Sequence, residues 1–89
     1  MQNAVKQIIK GIKSGCVFDS HFVISEIIRL KSDEYIHFAS PKEKTRHMHH
    51  RIAGMISGLP PALVARLDEK SWSNNIHGKA NECTLWKRK

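Results

Sequence analysis

The stretch Ser40-Pro41-Lys42-Glu43-Lys44-Thr45-Arg46-His47-Met48-His49-His50-Arg51-Ile52-Ala53-Gly54-Met55-Ile56-Ser57-Gly58 decides how the rest of the chain is read. Met48, Ile52, Met55, Ile56 and Leu59 fall at i, i+4, i+7, i+8 and i+11, which at 3.6 residues per turn is one apolar stripe. Ser40, Pro41 and Glu43 have the spacing of a capping box with proline at the first helical position. Gly58 and the pair Pro60-Pro61 supply a stop, with Gly58 in the left-handed conformation that closes many helices. The spacing therefore predicts a helix over 41–57.

The opposite face of that helix carries Arg46, His47, His50, Gly54 and Ser57, flanked by Lys42, Lys44 and Arg51. Two readings fit a basic face of this kind: an ordinary solvated surface, or a helix that reads nucleic acid. Arg46 can pair bidentately with guanine, and His47 and His50 can donate or accept at base edges. Lys42 and Thr45 sit where the free amides of a helix start favour phosphate, and Arg51 either reaches a phosphate or packs at the edge of the core. His47 and His50 are i, i+3 on one face, but two ligands do not make a metal site, and no metal or cofactor is expected. Several imidazoles titrate near neutrality, so protonation adds charge to this face.

Working towards the N-terminus, Val5, Ile8, Ile9 and Ile12 repeat at helical spacing, giving a helix over about 3–13 with Asn3 as its cap. Cys16-Val17-Phe18 fits a short edge strand, with the Cys16 thiol read as buried and inert. Asp19 or Ser20 caps a helix over about 20–31, whose buried side is Val23, Ile24, Ile27 and Leu30. The polar run Lys31-Ser32-Asp33-Glu34 interrupts the apolar pattern and predicts a break, followed by a short helix over about 33–39. Working towards the C-terminus, Leu63–Leu67 is ambiguous by periodicity and is read as a strand because Pro60-Pro61 precedes it. Cys83 and Leu85 then alternate with Glu82, Thr84 and Trp86 beyond a turn rich in Asn, Gly and Lys, which predicts a hairpin over about 63–87. Trp72 and Trp86 are read as lids on the core rather than as base-stacking platforms.

Eighty-nine residues with 40% hydrophobic content support one small domain over 1–89 and exclude wholesale disorder. Net charge is +7, and it is uneven: residues 1–15, 41–58 and 59–89 each carry +3, whereas 16–40 carry −2. The first group can converge on one basic side suited to a polyanion. There is no secretory pattern and no apolar run of membrane-spanning length, and two cysteines without C-x-x-C spacing fit reduced thiols, so a cytoplasmic location is expected. No Gly-rich phosphate loop or convergent catalytic set is visible, so the chain is not expected to be an enzyme.

Helix, short strand, broken helix, basic helix and hairpin is the element order of an α+β, mostly α, winged helix-turn-helix domain, in which the last helix before the hairpin enters the major groove. The segments Val17-Phe18-Asp19-Ser20-His21-Phe22-Val23-Ile24, Ser73-Asn74-Asn75-Ile76-His77-Gly78-Lys79 and Leu85-Trp86-Lys87 resemble those of small phage- and prophage-encoded winged-helix proteins. This chain departs from that pattern by an extra Asn in the wing and by the polar run at 31–34. The resemblance implies a double-stranded DNA-binding module in phage or mobile-element regulation or DNA metabolism. The wing would be 73–79, with Asn75, His77 and Lys79 reaching the backbone or minor groove. The alternative is an adaptor or inhibitor that turns the same basic face to an acidic host protein. A homodimer is compatible with either role.

Overall fold

The computed structural model describes residues 1–89. Its first helix, α1 (Gln2–Lys10), buries Ala4, Val5, Ile8 and Ile9, the face set by the helical spacing of its apolar residues. It starts one residue before Asn3, so the asparagine lies inside the helix and no side chain caps it. Gly15, with φ near 90°, then turns the chain into strand β1 (Val17–Asp19).

The Asp19 side chain caps the next helix, α2 (Ser20–Leu30): the Phe22 amide donates to Asp19 Oδ1 at 2.8 Å. Ser20, Val23, Ile24 and Ile27 are its buried residues, whereas Leu30, expected on the same side, is exposed in the last turn. The break expected in the polar run falls on Lys31, and α3 (Ser32–Phe38) follows directly. Asp33 and Glu34 occupy the first turn of α3, where the helix dipole favours acids. No residue of α3 is fully buried, but Tyr35 and Phe38 pack against the core.

The basic helix, α4, spans Thr45–Ser57 and so begins four residues later than the capping box predicts. Serine followed by proline also specifies the first two positions of a type I turn. The turn wins here: the Glu43 amide donates to the Ser40 carbonyl at 3.1 Å. The Glu43 carboxylate goes to the Arg51 guanidinium instead of returning to the Ser40 amide. Gly58 is also a correction: its φ is −82°, so α4 ends in right-handed geometry.

The remaining strands are β2 (Val64–Asn74) and β3 (Ala80–Arg88). Leu63–Leu67 therefore resolves as strand from Val64 onward, and β2 runs on through a register shift between Arg66 and Lys70. All pairings are antiparallel, and the strand order β1-β3-β2 puts β3 in the centre and β1 at an edge. Gly78, with φ near 77°, sits in the turn from β2 to β3, a backbone conformation that glycine adopts without steric cost. The result is an α+β arrangement of four helices and a three-stranded antiparallel sheet. No helix is long and apolar enough to cross a membrane.

The core lies where α1, α2 and α4 meet. Val5, Ile9, Val23, Ile27, Ile52 and Ile56 are its fully buried side chains. The sheet closes it with Phe18, Val64 and Trp86. The Trp86 indole N–H donates to Ser20 Oγ at 3.3 Å, which satisfies the polar end of a buried ring. The two tryptophans differ: Trp86 is a lid as expected, whereas Trp72 is 70% exposed on the hairpin. Cys16 is also exposed, contrary to expectation.

Candidate nucleic-acid interface

The buried stripe of α4 leaves Arg46, His47 and His50 on its exposed side. Between this helix and the β2–β3 hairpin lies a groove of about 780 Å³. Arg46, His49 and His50 line it from α4, Lys70 from β2, and Asn75, His77 and Lys79 from the turn; Glu82 is the acidic residue on its wall. Five of the residues expected to meet DNA, Arg46, His50, Asn75, His77 and Lys79, thus converge on one concave surface.

Lys42, Thr45, His47 and Arg51 do not line this groove. Lys42 is exposed in the turn before α4, and Thr45 is the exposed first residue of the helix. Lys44, the N-cap, contributes no side-chain hydrogen bond, so its side chain leaves the first amides of α4 uncapped. Arg51 is committed elsewhere. Its Nε donates to Glu43 Oε2 at 2.8 Å, and its guanidinium stacks 4.2 Å from the centre of the Phe38 ring. The hydrogen bond to Glu43 raises the Arg51 pKa, and that from Arg51 lowers the Glu43 pKa. Arg51 therefore ties the turn and α3 to α4, although an ion pair this exposed adds little stability.

Asn75 also has an internal task. Its Oδ1 accepts from the His77 amide at 2.9 Å and the Lys79 amide at 3.1 Å, which organises the turn carrying both side chains. Only the amide nitrogen of Asn75 is left for a ligand.

Sequence reasoning missed His49, which is 9% exposed and reaches Tyr35 across the fold. The Tyr35 hydroxyl and His49 Nε2 are 2.8 Å apart. Desolvation by burial raises the Tyr35 pKa. Burial is also the main cause of the lowered His49 pKa, with the charges of His77, His21 and His50 adding to it. Both members of the pair are thus held neutral, and the tautomer sets which one donates. The His77 ring stacks on His49 with centroids 6.1 Å apart, so the hairpin turn rests on α4 through an imidazole pair. The available signal was spacing: His49 precedes Ile52 and Ile56 at i, i+3 and i+7, on the edge of the apolar stripe.

A pH dependence follows. An unfolded histidine titrates near 6.5. His49 binds a proton less readily when folded, so its contribution is fully present above that value and is lost as pH falls below it towards the depressed folded pKa. Urea unfolding should show wild type losing more stability than His49→Gln between about pH 7.5 and about pH 5. Parallel pH profiles for the two proteins would remove His49 as the titrating group.

Compared with known proteins, the chain matches no protein-family model, no curated protein and no solved structure. Function has to be read from the groove itself.

Proposed function

We propose that the protein is a double-stranded DNA-binding module of the winged helix-turn-helix type, acting as a regulator or DNA-metabolism protein of a phage or mobile element in the cytoplasm. In this reading α4 is the recognition helix and the β2–β3 turn is the wing. The observation that carries it is the convergence of Arg46, His50, Lys70, His77 and Lys79 on one groove formed by helix and hairpin. The element order and the β1-β3-β2 sheet support it. At 1.5 Å per residue, the 13 residues of α4 are about 20 Å long, and the roughly 12 Å major groove admits one helix. The uncapped start of α4, next to Lys42 and Lys44, suits a phosphate on the flanking backbone.

The test is fluorescence anisotropy with a labelled duplex of random sequence at two salt concentrations. About four phosphate contacts give a log–log slope near −3.6, so affinity should fall about 100-fold between about 50 and about 200 mM salt. Absence of binding at low salt, or binding indifferent to salt, would overturn the proposal. A pull-down that recovers an acidic protein at the same face would then favour the adaptor role.

A further inference from the structure

A second cluster of reactive side chains lies where the end of β1, the first turn of α2 and the hairpin meet. Asp19, His21 and Cys83 bring a carboxylate oxygen, an imidazole nitrogen and a sulfur within 4.8 Å of one another, and all three residues are half-buried. Ser73 sits at the hub. Its hydroxyl donates to Asp19 Oδ2 at 2.8 Å and lies 2.7 Å from His21 Nδ1 and 4.0 Å from Cys83 Sγ. Ser71 Oγ donates to the same carboxylate oxygen at 2.7 Å. Strand register places the cluster: Ser71 lies directly opposite Cys83, and Asp19 opposite Leu85 on the other side of β3.

We propose that Asp19, His21 and Cys83 form a binding site for a zinc-like divalent transition-metal ion. One nitrogen, one sulfur and one oxygen suit zinc, with a fourth position left for water or another ligand. Calcium and magnesium demand oxygen donors and are disfavoured. Ser71 already orients the carboxylate, as supporting hydrogen bonds do around metal ligands. Asp19 keeps its other oxygen, Oδ1, on the Phe22 amide, so the α2 cap and the metal bond use different atoms.

A serine hydroxyl has one hydrogen, and Ser73 gives it to Asp19; the His21 Nδ1–H therefore donates to Ser73 Oγ in the metal-free network. Metal binding through Nδ1 breaks its hydrogen bond to Ser73 and leaves the ring hydrogen on Nε2, and it releases the thiol proton of Cys83 to solvent, while the carboxylate is already ionised. The ion joins residues 19 and 21 to residue 83, so it staples the hairpin to the β1–α2 junction. His47 and His50 play no part in it.

The test is titration of the reduced protein with Co2+ as a spectroscopic stand-in for Zn2+. A one-to-one complex should show thiolate-to-cobalt charge-transfer absorption with tetrahedral visible bands, both abolished by added Zn2+. Cys83→Ser should remove the charge-transfer band, Cys16→Ser should keep it, and His21→Ala should weaken binding by about tenfold or more. Circular dichroism checks that each variant is folded. Should Cys83→Ser not fold, thiol alkylation of wild type followed by mass spectrometry serves instead: Zn2+ should protect Cys83 and leave Cys16 reactive. Absence of the thiolate band in folded wild type, its persistence in Cys83→Ser, or equal alkylation of Cys83 with and without Zn2+ would overturn the proposal.

Discussion

Ile52→Ala should cost the protein about 2–5 kcal/mol of stability, the range for emptying a packed core position. Ile52 is fully buried on α4 and belongs to the one apolar cluster that α1, α2 and α4 share. A domain of 89 residues has little to spare, since typical totals are about 5–15 kcal/mol and small domains bury the smaller fraction of their surface. A loss near 3 kcal/mol lowers the midpoint of thermal unfolding by roughly 12–24 °C at this size. Ile36→Ala is the matched control: Ile36 is 68% exposed, and the change should stay within about 0.5 kcal/mol. Thermal unfolding followed by circular dichroism compares the two. A shift of only a few degrees for Ile52→Ala would mean that the three helices do not share one rigid core.

Arg46→Glu should weaken duplex binding by about 100-fold. Arg46 is exposed on α4, lines the groove and makes no ion pair within the protein, so its guanidinium is available to a ligand. Loss of one bidentate base contact costs about 1–3 kcal/mol, and the new carboxylate adds repulsion against phosphate. Arg51→Ala separates the two arginines of this helix. Arg51 is held by Glu43 and Phe38, so its loss should leave affinity within a few-fold of wild type. Anisotropy at low salt measures both. Equal effects of the two substitutions would place the DNA somewhere other than the groove.

Elements with a strong local signal were legible in the sequence. The apolar spacing of Val5, Ile8 and Ile9, the Asp19 cap and the polar break at Lys31 each act within a few residues, and the structure carries all three. The start of α4 departs from the expectation because Ser40-Pro41 serves a turn as well as a helix, and the Glu43 carboxylate that a capping box would use lies on Arg51, eight residues further on. The candidate site was legible in part. Arg46 and His50 followed from the face of one helix, but their meeting with Lys70, His77 and Lys79 depends on how the hairpin folds back. The cluster of Asp19, His21, Ser73 and Cys83 depends on strand register across more than fifty residues, which no local pattern encodes.

The central place of β3 has a consequence for synthesis. Val17 pairs with Lys87, so β1 emerges from a ribosome long before its partner strand exists. The helices can begin to collapse while β3 is still inside the exit tunnel, but the sheet cannot form until nearly all 89 residues are out. During that interval Phe18 has the collapsing helices to rest against, but β1 has no strand partner for its backbone. Closure across so long a loop is slow compared with helix formation. The chain is therefore expected to acquire its helical half first and the groove between α4 and the hairpin last.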